Sequence, residues 1–176
     1  MNMSTTKKLI VLLGPTASGK TSLSIEIAQK LNTEILSCDS RQFYKELKIG
    51  AAPPSKEELA IVKHHFVHHL SINENYSIGQ FEKDAIAKIT ELFKAHNYIL
   101  LVGGSGLYID AICNGIDNIP NISKNVREKI NNEFEKNGIY WLQEKIKKID
   151  PEFYKSVDIN NPQRLKRCYE VFHETG

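Results

Sequence analysis

Gly14-Pro15-Thr16-Ala17-Ser18-Gly19-Lys20-Thr21 fills, without a gap, the pattern glycine, four residues, glycine, lysine, serine or threonine. The glycines let backbone N–H groups approach phosphate oxygens, and the lysine supplies a point charge. The hydroxyl of Thr21 is placed to hold a magnesium ion. Leu9-Ile10-Val11-Leu12-Leu13 precedes the loop as a continuous apolar run suited to a buried parallel strand, and residues 22–31 follow with helical periodicity. A phosphate would then sit on a helix N-terminus, where unpaired N–H groups and the aligned peptide dipoles favour an anion. Gly14, Pro15, Thr16, Ala17, Ser18, Gly19, Lys20 and Thr21 are therefore the expected diphosphate- or nucleotide-binding residues. The glycine spacing is wrong for a nicotinamide-type dinucleotide loop.

The chain has 176 residues, 41% hydrophobic and 25% charged, which suits a globular protein with a sizeable core. Cys38, Cys113 and Cys168 are far apart and form no C-x-x-C pair, so neither a zinc site nor a disulfide framework is expected. The apolar run at Leu9 stops after five residues and is no signal peptide, and no run reaches membrane-spanning length. The expectation is a cytoplasmic, monomeric protein without a membrane partner. The net charge of +2 arises in the last third: residues 1–120 carry twelve basic and twelve acidic groups, residues 121–176 eleven and nine. Solvated helix faces explain so small an excess as well as a nucleic-acid surface does.

The first 115 residues or so alternate strand and helix signals, as helices packed on a parallel sheet require. After Asn118-Ile119-Pro120-Asn121-Ile122, residues 123–137, 139–149 and 162–173 read as helices, with breaks at Asn137-Gly138 and at Ile159-Asn160-Asn161-Pro162. Ser123 and Asn161 are candidate N-caps, with Pro162 at the first helical position. The expected fold is α/β, a P-loop NTPase-like parallel sheet flanked by helices with a helical insertion subdomain. Its division falls into a core over 1–117 and a helical subdomain over 118–176.

Further strand ends carry polar groups. Glu34-Ile35-Leu36-Ser37-Cys38 runs into Asp39-Ser40-Arg41-Gln42, and Tyr98-Ile99-Leu100-Leu101-Val102 delivers Gly103-Gly104-Ser105-Gly106-Leu107-Tyr108. Ligands of open α/β sheets bind beyond the carboxyl ends of the strands, which puts Asp39 and Ser105 near the phosphate loop. Asp39 can bind magnesium, accept a proton from a substrate nucleophile, or cap a turn. The histidines of Lys63-His64-His65-Phe66-Val67-His68-His69-Leu70 sit four apart in pairs, yet no cysteine or carboxylate lies close in sequence. Phe66-Val67 with Leu70 reads as a short strand, and the histidines as hydrogen-bonded structural or substrate-facing groups.

GPTASGKT, SCDSRQFY, IGAAPP, VGGSGLY and NPQRLKRCYEV occur in the order found in tRNA dimethylallyltransferases, and the chain resembles that family over nearly its whole length. The resemblance implies transfer of a dimethylallyl group from dimethylallyl diphosphate to the exocyclic amine of the adenosine immediately 3′ to a tRNA anticodon, with Mg2+ as cofactor and release of diphosphate. It implies Lys20, Asp39 and Ser105 as catalytic residues, Asp39 as general base, and Thr21 as magnesium ligand. Its tRNA contacts, to the anticodon stem-loop, fall on Asp39, Ser40, Arg41, Gln42, Ser105, Arg127, Gln163, Arg164, Leu165, Lys166 and Arg167. Family members run to about twice this length, so the chain resembles an N-terminal fragment, expected to bind its donor weakly and to catalyse poorly. A small-molecule or nucleoside kinase shares the loop, the strand-end aspartate and the core, and would select ATP. A binding module without chemistry would need no base at Asp39.

Overall fold

The computed structural model describes residues 6–117 and 121–176. The described residues fall into two compact units, divided between Ile116 and Asp117. The segment 118–120, part of the expected break before the helical subdomain, lies outside the described residues.

The first unit is built on four parallel strands in the order β1-β4-β2-β3: β1 Lys8–Leu13, β2 Ile35–Ser37, β3 His64–His65 and β4 Tyr98–Gly103. β4 pairs with β1 from Lys8↔Tyr98 to Leu13↔Gly103, and with β2 from Ile35↔Leu100 to Ser37↔Val102. Side chains alternate between the sheet's faces. Ile35 and Leu100 pack with Ile25 and Ala28 of helix α1, Lys20–Leu31. Leu36, Ile99 and Leu101 pack on the other face with Phe81, Ala85 and Ile89 of α3, Ile78–Leu92, and with Ile109 and Ile112 of α4, Gly106–Asn114. Burial on both faces explains why Ile99, Leu100 and Leu101 form an unbroken apolar run. The short helix α2, Lys56–Ile61, starts from a capping box in which Ser55 and Glu58 exchange hydrogen bonds.

The histidine segment departs from the expected strand at Phe66-Val67. The β-pairing is at His64–His65, with a further isolated bridge between Tyr44 and Leu70. Left-handed φ at Phe66 (61°) and His68 (49°) breaks the extended run. The break turns the Phe66 ring into an aromatic cluster with His69 and Phe81.

The second unit is helical: α5 Lys124–Ile149, α6 Pro151–Ser156 and α7 Pro162–Thr175. Ile130, Leu142, Ile146, Leu165 and Tyr169 form its core. α5 breaks where Asn137-Gly138 led us to expect, Gly138 having φ 73° and ψ −172°. Ser123 Oγ accepts from Val126 N at 3.4 Å, and Asn161 Oδ1 from Arg164 N at 3.2 Å. No helix among the described residues is long and apolar enough to cross a membrane.

Candidate active site at the carboxyl edge of the sheet

The loop after β1 owes its shape to two left-handed residues, Ala17 (φ 63°) and Gly19 (φ 81°). Gly19 is the N-cap of α1 and brings no capping side chain, and the first turn of α1 holds no acidic residue. The first-turn N–H groups are thus left without a capping side chain from the helix itself. The Lys20 ammonium donates to the Pro15 carbonyl and to Ser18 Oγ at 3.4 Å, which keeps the charge over the loop. Ser24 Oγ donates to the Thr21 carbonyl at 2.7 Å and fixes the first turn that presents Thr21.

Parallel pairing brings the other two strand ends to the same edge. Cys38 N donates to the Val102 carbonyl at 2.7 Å, and Gly14 N to the Gly103 carbonyl at 3.4 Å. Gly103 lies so close to the Cys38 backbone that a Cβ there would overlap the Cys38 carbonyl. Asp39 is half-buried, and its Oδ1 accepts from Arg41 N at 3.0 Å. Its carboxylate therefore caps a turn while lining one cleft with Thr16, Lys20, Thr21, Ser37 and Gly103. Ser105, the N-cap of α4, makes no side-chain cap; its Oγ accepts from Ser40 N at 3.3 Å and lies 3.5 Å from Ser40 Oγ. The Cys38 thiol is pushed up to about 12 by burial and by the Asp39 charge, so it is no nucleophile.

Not every residue named from sequence is presented to a ligand. Gln42 lines the cleft, yet its carboxamide is committed inward: Oε1 accepts from Ser37 Oγ at 2.9 Å, and Nε2 donates to the Ala51 and Ala52 carbonyls at 3.2 and 3.1 Å. Arg41 is exposed. In the second unit, Arg127 and Arg167 both reach Glu170, at 3.9 and 3.4 Å. Lys166 donates to Asn131 Oδ1 at 3.0 Å and lies 4.9 Å from the centre of the Phe134 ring. Gln163 and Arg164 are exposed. Leu165 is corrected here: it is fully buried among Ile130, Leu142 and Ile146, so its side chain anchors α7 and faces no RNA.

Sequence reasoning passed over Ser37, Ala52 and Pro54 of the cleft wall, and gave His64 no individual role. For Ser37 the signal was present: alternation along β2 puts it on the face of Ile35 and in step with Asp39. Ala52 and Pro54 carry no chemistry that a sequence pattern could flag.

A family model described as IPP transferase matches residues 42–176. The tRNA dimethylallyltransferase of Christiangramia forsetii is 54% identical over 168 residues, 96% of this chain and 56% of that protein. The solved full-length tRNA isopentenylpyrophosphate transferase of Bacillus halodurans is 34% identical with a TM-score of 0.61, covering 97% of this chain and 56% of that one. A eukaryotic dimethylallyltransferase, solved acting on tRNA, gives a TM-score of 0.80 at 27% identity, over 95% of this chain and 42% of that one. The chain spans about half the length of the curated relatives it matches. A parallel sheet with a phosphate loop at its carboxyl edge, matched in sequence and in structure along nearly all of its length, places this chain in the IPP transferase family.

Proposed function

We propose that the chain carries the donor site and general base of a tRNA dimethylallyltransferase, which moves a dimethylallyl group from its diphosphate to the exocyclic amine of the adenosine 3′ to the anticodon. The observation that carries this reading is the meeting of three strand ends, those of β1, β2 and β4, which puts a phosphate loop, a carboxylate and a hydroxyl at one edge. The relatives' names supply the substrate class.

The loop N–H groups and Lys20 hold the diphosphate and stabilise the charge it gains on leaving. The donor's carbon–oxygen bond breaks with its electron pair going to the diphosphate, while the amine nitrogen bonds to the allylic carbon. Asp39 accepts the proton that the amine sheds. Adenine's amine is barely basic, so much of the rate comes from holding it in line with the donor. Ser105 orients the Ser40 end of the Asp39 turn. The Thr21 hydroxyl is a hard oxygen donor in the cleft beside the loop, which suits it to hold Mg2+. When bound, Mg2+ would neutralise part of the diphosphate charge.

Arg127, Gln163, Arg164, Lys166 and Arg167 are proposed as tRNA contacts, with Ser40 and Arg41 beside the base. The same proposal places the protein in the cytoplasm as a monomer. Calorimetric titration with dimethylallyl diphosphate and, separately, ATP, both with magnesium, tests the reading, with Lys20→Ala as control. Preference for the prenyl donor, lost in Lys20→Ala, is the expected outcome. Preference for ATP would replace the transferase by a kinase.

A further inference from the structure

The cleft has a floor that the chemistry above does not use. His64 opens β3 and pairs in register with Ile35 of β2. Pairing in register puts its ring on the sheet face of Ile35 and Ser37, and it lines the cleft with them, the phosphate loop and Asp39. His64 Nδ1 lies 2.8 Å from the Val62 carbonyl oxygen. A carbonyl only accepts, so Nδ1 carries the hydrogen and Nε2 of the neutral ring presents a lone pair. Nε2 is buried, with no hydrogen-bond partner among the described residues.

Burial holds the ring below the usual histidine range; the bond to Val62 and the Glu58 carboxylate act against this, and His65 adds to it. The ring is thus a neutral acceptor awaiting a donor. No described residue supplies one: the Gln42 amide and the Ser37 hydroxyl are committed to other partners, and the Lys20 ammonium rests on the loop. His68 Nε2 is also unpartnered, yet His68 is not among the residues of the cleft wall.

We propose that His64 is a specificity-determining residue of this site, its Nε2 accepting a hydrogen bond from an N–H or O–H of the nucleoside that receives the prenyl group. The assignment rests on the transferase reading. Between the two reactants, the diphosphate is rich in acceptors and its allylic chain has neither N–H nor O–H, so against them the lone pair is repelled or idle. The nucleoside brings amine N–H and ribose O–H groups. A buried acceptor left unpaired by an analogue lacking the donor penalises that analogue, which is how such a contact selects.

The test is ¹⁵N NMR of the histidine-labelled chain, with His64→Ala to assign the ring, titrated with adenosine and separately with magnesium pyrophosphate. Adenosine is expected to shift Nε2 upfield and to leave Nδ1 in its protonated position. Purine riboside, which lacks the amine, shows whether the amine or the ribose is the donor. His64→Ala is expected to weaken adenosine binding about fivefold to tenfold, the worth of one hydrogen bond. His64→Gln, which keeps an acceptor oxygen, is expected to restore most of it. An Nε2 resonance unmoved by adenosine overturns the proposal. So does a ring that becomes doubly protonated with pyrophosphate and ignores adenosine, and so does an equal loss of both ligands in His64→Ala. The donor titration stands apart: ATP preference with an adenosine-shifted His64 would sink the transferase and keep the nucleoside contact, while prenyl-donor preference with an unmoved His64 would do the reverse.

Discussion

Gly103 and Asp39 show how much one position can decide. Gly103 presses against the Cys38 carbonyl, so Gly103→Ala must push β4 from β2 at the site where their ends define the cleft. We expect a loss of about 3 kcal/mol or more, at the upper end of overpacking costs, read as a lower midpoint in urea unfolding. Asp39→Asn asks a different question, because asparagine Oδ1 can still accept from Arg41 N and keep the turn while no longer taking a proton. Prenyl transfer to an anticodon stem-loop RNA should fall about 10²–10⁴-fold with donor affinity kept; an unchanged rate would remove Asp39 as base. The turn from β1 into α1 was legible in sequence because Gly19, left-handed at its N-cap, is a residue type that allows it, whereas the left-handed Ala17 beside it was not. The roles of Gln42 and Leu165 were not legible. A polar amide spent on the Ala51 and Ala52 carbonyls, and a leucine turned inward between two arginine-bearing positions, are set by contacts distant in sequence.

Secondary-structure elements held where their ends were marked by local chemistry. Asn161 with Pro162 starts α7, and Asn161→Ala should cost about 1 kcal/mol by removing the acceptor for Arg164 N, measured as a fall in the melting temperature. Gly138 holds a φ, ψ pair open only to glycine, with no atom within 4 Å of where a Cβ would stand. Gly138→Ala therefore tests backbone strain with no clash to confuse it, and we expect about 1–3 kcal/mol of destabilisation by chemical unfolding. An unchanged stability would mean that the kink relaxes into continuous helix. The shift of β3 to His64–His65 was beyond sequence reading, since nothing in Phe66 or His68 announces a left-handed φ, and the Phe66 ring there packs edge-on against Phe81, a contact distant in sequence. α6 was hidden for a simpler reason: six residues hold too few turns for a period to show.

Across the first unit, the sheet divides its labour between its two edges. Loop, carboxylate and hydroxyl gather at the carboxyl ends, whereas the opposite edge is tied by charge. Glu34, just before β2, lies 2.5 Å from His65 Nε2, 3.5 Å from Lys63 and 3.9 Å from His96 Nε2. His96 Nδ1 lies 2.8 Å from the Asn32 carbonyl, and the Lys7 ammonium donates to the His96 carbonyl at 2.8 Å. The Glu34 carboxyl is thereby joined to β3 and to the connection before β4. Burial raises its pKa, but the hydrogen bond from His65 and the charges of Lys63 and His65 outweigh burial, and the net direction is down. A carboxyl whose pKa is depressed by folding adds stability that is complete above its unfolded value, about 4.3, and is lost as pH falls through the folded value. Glu34→Gln keeps the shape and deletes the charge. Its unfolding free energy should lie below the parent's at neutral pH, and the two curves should converge as pH drops below about 4. Parallel curves down to the acid limit would show that His65 holds Glu34 by shape alone, and that the edge opposite the cleft takes no stability from charge.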